Sequence, residues 1–353
     1  MRTRSTGAEP WPSRTTGTGR SHPRLFAFTP PIPEPTARIV ATNPRPPTLS
    51  VVVPTRDRGA LLAACLEALC RSVRPGDEVI VVDSASHSDD ARRLAHSSGV
   101  RFLRCDLPGA SRARNAGWRA AGNDIVAFVD DDVRVTPDWA AGVAAAFAAH
   151  PDVDFMTGTT DFLPGEEFTS RPVAIKKDLE PQRFTAGARA DLIGHGANLA
   201  VRRSALARVG GFDERLGPGT PLRAAEDLDL FDRLLAAGSD GRYEPAAAAS
   251  HAQWRTRAEL LALDWGYGIG SGARVAKLLR VDRPRAVVAA RAFFWGWGLY
   301  YVGRYARERR PFLTLTSLVR VIGGVAGFAR AVVTAPWRAD PAACRPPPPA
   351  GSH

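Results

Sequence analysis

The sequence predicts an α/β protein: a mostly parallel sheet flanked by helices, followed by a C-terminal helical appendage. Three observations carry this expectation. Four short apolar, β-branched runs alternate with helical repeats of about a dozen residues between Leu49 and His150. In "SVVV", "VIVV" and "IVAFV" the apolar residues are consecutive rather than alternate, as in strands covered on both faces. Beyond residue 255 the pattern changes to long apolar blocks at helical spacing, punctuated by arginines.

The body opens with "TLSVVVPTRDRG", a strand over Leu49–Pro54 whose proline ends the ladder. "ALLAACLEALCRS" has helical spacing, "DEVIVVDSAS" is the second buried strand, "SDDARRLAHSSG" a helix and "VRFLRC" the third strand. "SRARNAGWRAAG" is the next helix and "DIVAFVDDD" the fourth strand. "TPDWAAGVAAAFAAH" predicts a helix with Thr136 as N-cap, Pro137 in the first turn and Asp138 near its positive end. From about residue 155, strand-like pieces are separated by Gly/Pro-rich loops. "AAEDLDLFDRLLAAGS" is an amphipathic helix burying Leu230, Leu234 and Leu235, and "GRYEP" a short edge strand.

The 353-residue chain has a formal charge of +11, unevenly spread: +5 over residues 1–48, +11 over 255–353, and −5 between them. An acidic body excludes nucleic acid as its partner and leaves the basic ends for anionic surfaces. Composition divides the chain into a disordered basic Pro/Thr/Arg-rich arm over 1–47, an α/β domain over 48–254, a basic, aromatic-rich helical region over 255–338 and a disordered tail over 339–353. Cys65, Cys70, Cys105 and Cys344 make no zinc or disulfide spacing, and no apolar leader opens the sequence. A reduced, cytoplasmic setting is expected.

The chemistry concentrates at strand ends. Open α/β sheets bind ligands beyond the carboxyl edge, and three of the early strands finish there in polar residues: Thr55, Arg56 and Asp57; Asp83 and Ser84; Asp130, Asp131 and Asp132. The acidic trio is either a solvated turn or a seat for Mg²⁺ or Mn²⁺, with Asp130 and Asp132 turned toward a cation that bridges phosphates. Asp83 either accepts from a nucleobase or ribose or caps a turn. "SRARN" sets Arg112 and Arg114 at a helix start, two apart and so on different faces, to neutralise phosphate or pair with the aspartates. Glu226 and Asp227 open a helix, where acids are favoured by the dipole; the alternative is a general base. His251 is either a third metal ligand or a satisfied surface histidine. "GYGIGSG" (266–272) follows a helical pattern rather than a strand, and GxxxxGK[ST] is absent, so neither a hydride-transfer fold nor an NTPase is supported.

Over roughly residues 49–254 the ordered set "SVVVPTRDR", "EVIVVDSAS", "SRARNAGWRAAGNDIVAFVDDD", "GHGANLAVRRSALARVGGFDERLG" and "EDLDLFDRLLAAG" resembles the family 2 glycosyltransferases, with their GT-A type of fold. The resemblance implies a nucleotide-sugar donor against Pro54, Thr55, Arg56 and Asp57, with Asp83 at the base or ribose. It implies metal at Asp130 and Asp132 with Asp131 between them, His251 as a late metal or diphosphate contact, and Asp227 of the Glu226–Asp227 pair as catalytic base. "GGFDE" (Gly210–Glu214) falls on the acceptor side, and the glycine-containing loop 217–225 is a candidate to close over the sugar. Ser84 departs from the second aspartate of many relatives. An inverting single displacement onto an acceptor hydroxyl, dependent on Mg²⁺ or Mn²⁺, is the implied reaction. A nucleotidyltransferase, which would want a glycine-rich, lysine-assisted phosphate loop, and a non-catalytic nucleotide-sugar-binding protein are the alternatives.

In the C-terminal region, Ala286–Gly303 is rich in aromatic residues with Arg291 as its only charge, and Phe312–Ala335 is long enough to span a bilayer but contains Arg320 and Arg330. A central arginine costs about 2.5–3.5 kcal/mol on the insertion scale. Interfacial helices on an anionic membrane surface are therefore expected, with a soluble appendage, a homodimer surface and a hairpin through the bilayer as alternatives.

Overall fold

The computed structural model describes residues 46–163 and 172–334. The expected N-terminal arm up to residue 45, the C-terminal tail and Cys344 lie outside the described residues. Strands β1 (Leu49–Thr55), β2 (Glu78–Ser84), β3 (Arg101–Cys105) and β4 (Ile125–Val129) run parallel in the order β3-β2-β1-β4. Helices α1 (Gly59–Ser72), α2 (Asp90–Ser97) and α3 (Ala110–Ala120) connect them.

Side chains along each strand alternate between two cores, as a period of two requires. Val51, Val53, Ile125 and Ala127 pack with α1 and the helix α4 (Trp139–Ala149) on one face. Val52, Val126 and Phe128 pack with α3 on the other. All seven are fully buried, which explains why successive positions are apolar; Ser50, also buried, is satisfied by donating to Glu78 Oε1 at 2.7 Å.

Strands β5 (Val133–Val135), β6 (Val153–Phe162), β7 (Gln182–Phe184), β8 (Asn198–Arg202) and β9 (Asp240–His251) extend the sheet. Among the described residues it has nine strands, in the order β3-β2-β1-β4-β8-β6-β9-β5 with β7 also on β9. Strand β8 is antiparallel to both β4 and β6, so the sheet is mixed on that side. Helices α5 (Arg203–Val209) and α6 (Glu226–Ala236) follow β8, and α6 buries Leu230, Leu234 and Leu235 as its spacing predicts.

Three expectations need correction. Pro54 does not end the ladder: β1 runs on to Thr55, with Pro54 opposite Val82 and Thr55 opposite Asp83. "GRYEP" is not a short edge strand; it lies within β9, whose 12 residues pair with β6 on one side and with β7 and then β5 on the other. Alanine has low strand propensity, which hid the second half of β9. There the small side chains let α4 approach closely, so that a Cβ at Gly142 would stand 3.0 Å from the Ala246 carbonyl oxygen. Helix α4 also begins later than expected. Asp138 occupies the N-cap position without a side-chain capping bond, while the Thr136 carbonyl accepts from the Trp139 N–H at 3.0 Å. Trp139, fully buried, donates its Nε1–H to Asn198 Oδ1 at 2.9 Å and pins the start.

The C-terminal region is helical: α7 (Arg257–Val281), α8 (Arg283–Ala290), a π-helical stretch Arg291–Leu299, α9 (Tyr300–Arg307) and α10 (Pro311–Val333). Thr256 and Glu259 form a capping box at the start of α7. "GYGIGSG" lies inside α7, where Gly268 and Gly272 bring the backbone of α10 into contact and Gly270 that of Ala224. A Cβ at Gly272 would fall 1.9 Å from the Gly324 carbonyl oxygen. Another side of α7 docks on the α/β body, where Arg274 clasps Asp232 at 2.6 and 3.0 Å and Lys277 meets Asp213 at 2.7 Å.

Candidate active site

The acidic trio spans two parts of the sheet. The chain leaves β4 at Val129 and re-enters at Val133, where β5 pairs antiparallel with the end of β9 and sets Val133 opposite His251. The three carboxylates then diverge. Asp130 accepts from Arg114 Nη2 at 2.6 Å. Asp131 accepts from Thr55 Oγ1 at 2.8 Å and from Arg58 Nη1 at 3.0 Å. Asp132 accepts from Trp254 Nε1 at 3.0 Å, lies 3.4 Å from Arg255 Nη2, and stands with Oδ1 3.4 Å from His251 Nε2.

Asp131 and Asp132 are 3% and 4% exposed, so the solvated-turn alternative fails for them. Each acid has an arginine within ion-pair reach, which is how a buried strand tolerates such an ending. Burial still raises the Asp131 carboxyl to about 6, against the pull of Arg58. For Asp132, burial pushes the same way, but His251, Trp254 and Arg255 outweigh it and hold the group below its ordinary value.

The nucleotide-side residues assemble along the carboxyl edge, with Thr55 in register with Asp83 and Asp83 with Arg104 on adjoining strands. Pro54 is buried in the ladder opposite Val82. Asp83, 1% exposed, accepts from Arg104 Nη1 at 2.5 Å and from the Ser86 N–H at 3.2 Å. Its carboxylate and the Thr55 hydroxyl are thus bonded within the protein. Arg56 and Asp57 remain partly open, 3.6 Å apart, and the His87 backbone N–H draws the Asp57 carboxyl below its usual range. Ser84 accepts from the Gly109 N–H at 2.8 Å, which ties down the turn before α3 and gives this departure from the family pattern a structural role.

Arg112 and Arg114 face different ways, as their spacing requires. Arg112 donates to the Pro108 carbonyl at 3.0 Å and lies 3.4 Å from Glu214. Arg114, 3% exposed, joins two of the acidic motifs: Nη2 to Asp130 and Nη1 to Glu226 Oε1 at 2.9 Å. Glu226 begins α6 directly after Ala225, which holds φ +68°. Burial lifts the Glu226 carboxyl from 4.5 to about 7, opposed by Arg114 and reinforced by Asp227. Asp227 is half-buried, accepting from the Gly196 N–H at 3.1 Å and from the Leu228 N–H at 2.8 Å.

The raised Glu226 value has a consequence for stability. As pH rises the unfolded chain loses this proton near 4.5, while the folded chain keeps it to about 7. The contribution is therefore complete below the lower value and is lost by the upper one. Glu226→Gln, which cannot ionise, is expected to flatten the fall in the urea midpoint between about pH 5 and 7.5. An identical slope in the two proteins would assign that fall to another group.

Of the three donors the sequence nominated for a metal, Asp132 and His251 meet and Asp130 turns to Arg114. Among the described residues no three acidic, histidine or cysteine side chains converge as a closed metal seat. One carboxylate and one imidazole do suit Mg²⁺ or Mn²⁺, which are commonly held by one or two side chains and complete their shell with phosphate oxygens and water. Arg58, Arg104, Trp254 and Arg255 are the site residues that motif reading missed. Arg58 and Arg255 flank recognised pieces, in "PTRDR" and directly after "HAQW", and proximity to them was the available signal.

Fold and site together define a GT-A-like α/β protein with a cluster of carboxylates and arginines beyond the strand ends. Residues 50–210 match the family model described as Glycosyl transferase family 2, and that stretch is a family 2 glycosyltransferase domain. A curated relative, the pre-mycofactocin glycosyltransferase of Mycobacterium tuberculosis, is 31% identical over 274 residues, which cover 74% of this chain and 55% of that one. The chain thus spans about half the length of that relative. Among solved structures, TarS 1–349 of S. aureus shares the fold with a TM-score of 0.55 and 17% identity, over 81% of each chain. A mannosyltransferase from Pyrobaculum calidifontis, solved in complex with GDP-Man and Mn²⁺, gives a TM-score of 0.52 and 18% identity over 81% of this chain and 88% of that one.

Proposed function

We propose that the chain is an inverting glycosyltransferase moving a sugar from a nucleotide-diphosphate donor to an acceptor hydroxyl. The observation that carries this is the Arg114 guanidinium, bonded at 2.6 Å to the acidic trio and at 2.9 Å to the helix that opens with Glu226 and Asp227. One bridged cluster then holds both a phosphate-side group of acids and a candidate base. The donor class is supported by the Pyrobaculum calidifontis neighbour, whose structure contains GDP-Man and Mn²⁺.

In this mechanism Asp227 takes the proton of the acceptor hydroxyl. Its half-open carboxylate, oriented by the Gly196 N–H, suits that role better than Glu226, which is buried and bonded to Arg114. The hydroxyl oxygen bonds to the anomeric carbon as the bond from that carbon to the diphosphate oxygen breaks on the opposite face. Configuration inverts and no protein nucleophile is needed. Arg56, partly open at the exit of β1, is assigned to the donor phosphates. A divalent ion held by Asp132 and His251 would supply positive charge against the departing diphosphate. Arg114 fixes Asp130 relative to Glu226 and so holds the two halves of the site in register.

A panel of nucleotide-diphosphate-sugars, scanned by thermal unfolding with and without Mn²⁺, tests the assignment. A cognate donor at about a hundredfold its Kd stabilises the fold by about 2.7 kcal/mol. The expected result is a metal-dependent rise in Tm with at least one donor, accompanied by release of its nucleoside diphosphate. Neither stabilisation nor release across the panel overturns the proposal.

A further inference from the structure

From the outer surface of the C-terminal helices we infer that this region docks flat on an anionic phospholipid bilayer, with α10 as the inserted face. The inference goes beyond the proposed reaction and does not depend on it. Among the described residues, every exposed large hydrophobic side chain except Leu107, Leu179, Leu192 and Trp254 lies after Arg257. On α10 the stripe Leu315, Leu318, Ile322, Val325 and Val332 faces outward, with Val325 59% exposed. An apolar groove of about 300 Å³ opens beside it, lined by Val275, Leu279, Val287, Phe294, Val325 and Phe328. Trp295, 73% exposed, and Tyr300 add the amphipathic rings that favour the headgroup level.

The charges select the occupant. Exposed arginines frame α10 at both ends: Arg307, Arg309 and Arg310 before it, Arg280 and Arg330 at its close. Arg280 reaches the Val332 carbonyl at 3.1 Å, which fixes it at that end. A helix lying in the interface plane presents such a pattern to anionic headgroups along its whole length. A spanning helix would need lipid or other spanning helices around it, whereas α7, its neighbour, is held to the α/β body by Arg274 and Lys277. Helix α10 is fused by its glycines to α7, and Arg320 is bonded to the buried Asp264 of α7 at 2.9 Å. A second copy fits less well. The outward stripe has the spacing of a coiled-coil seam, but Val319, Val321, Ala326 and Phe328 flank it where such a seam carries charges.

The test is co-sedimentation of the full chain with vesicles of phosphatidylcholine alone and of phosphatidylcholine mixed with phosphatidylglycerol. Binding is expected only to the mixed vesicles, with a blue shift of tryptophan emission as Trp295 leaves water. Arg307→Ala with Arg309→Ala should lower the partition coefficient by roughly 30-fold, at about a tenfold factor per 1.4 kcal/mol and 1 kcal/mol per arginine. Ile322→Asn with Val325→Asn should abolish the emission shift. Both pairs are exposed, and unchanged thermal unfolding would confirm that they leave the fold intact. A chain that ignores mixed vesicles, or binds both kinds equally, overturns the inference. So does a dimer in solution that Ile322→Asn with Val325→Asn converts to monomer without any vesicle binding.

Discussion

Asp227→Asn is expected to lower the turnover number for glycosyl transfer by 10²–10⁴-fold, the range ascribed to a positioned general base. Asparagine keeps the size of the side chain, and its single carbonyl oxygen can keep the bond from the Leu228 N–H that Oδ1 now accepts, so α6 should begin where it does now, while the Gly196 N–H loses its Oδ2 partner. What it loses is the ability to take a proton. Donor affinity, measured by titration calorimetry with a nucleotide-sugar and Mn²⁺, should change little, because the residues assigned to the donor lie on the exits of β1, β2 and β4. Turnover should fall without a matching change in donor Kd. Glu226→Gln distinguishes the two neighbours: it should perturb the pH dependence of stability more than it perturbs turnover. If Asp227→Asn transfers sugar at the parent rate, the base is another group. Glu226, with its carboxyl near 7, would then be the next candidate.

Strands β1, β2 and β4 were legible because they are buried on both faces, unlike the partly exposed edge strand β3. Val51, Val52 and Val53 need no polar alternation when one core lies under each face. The acidic motifs were legible for the opposite reason, since adjacent carboxylates after an apolar run are conspicuous. Their partners were not. Strand β5 is three residues long and carries no periodic signal, yet it is what brings His251 beside Asp132. Arg58, Arg104 and Arg255 look in sequence like solvated charges, and only the folded chain turns them onto Asp131, Asp83 and Asp132. The same holds in the appendage. Arg320 counts against burial when read along α10, but its partner Asp264 lies 56 residues away on α7. Long-range pairing of charge is a property of tertiary packing that local pattern does not encode.

Arg114→Ala is expected to destabilise the protein by about 3–5 kcal/mol, the cost of removing one member of a buried ion network and leaving its partners uncompensated. In a chain of this size that corresponds to a drop in Tm of roughly 4–7 °C. The sign of its pH dependence follows from Glu226. Arg114 opposes the burial that raises the Glu226 carboxyl, so its loss drives that carboxyl higher still. Protonated Glu226 is tolerated without a guanidinium, whereas the ionised form is not. The deficit relative to the parent should therefore be larger near pH 8 than near pH 5. Adding Glu226→Gln should return part of the loss, with a coupling of roughly 0.5–3 kcal/mol if the two side chains interact directly. Arg114→Lys should fall between parent and alanine, because an ammonium can satisfy one carboxylate but lacks the fork that reaches both Asp130 and Glu226. Turnover should fall in all of these variants, since Arg114 is what relates the acidic trio to the base-bearing helix. An Arg114→Ala protein that melts with the parent and turns over at the parent rate would mean that the two acidic motifs keep their places without it, and the bridge would then be a by-product of their proximity.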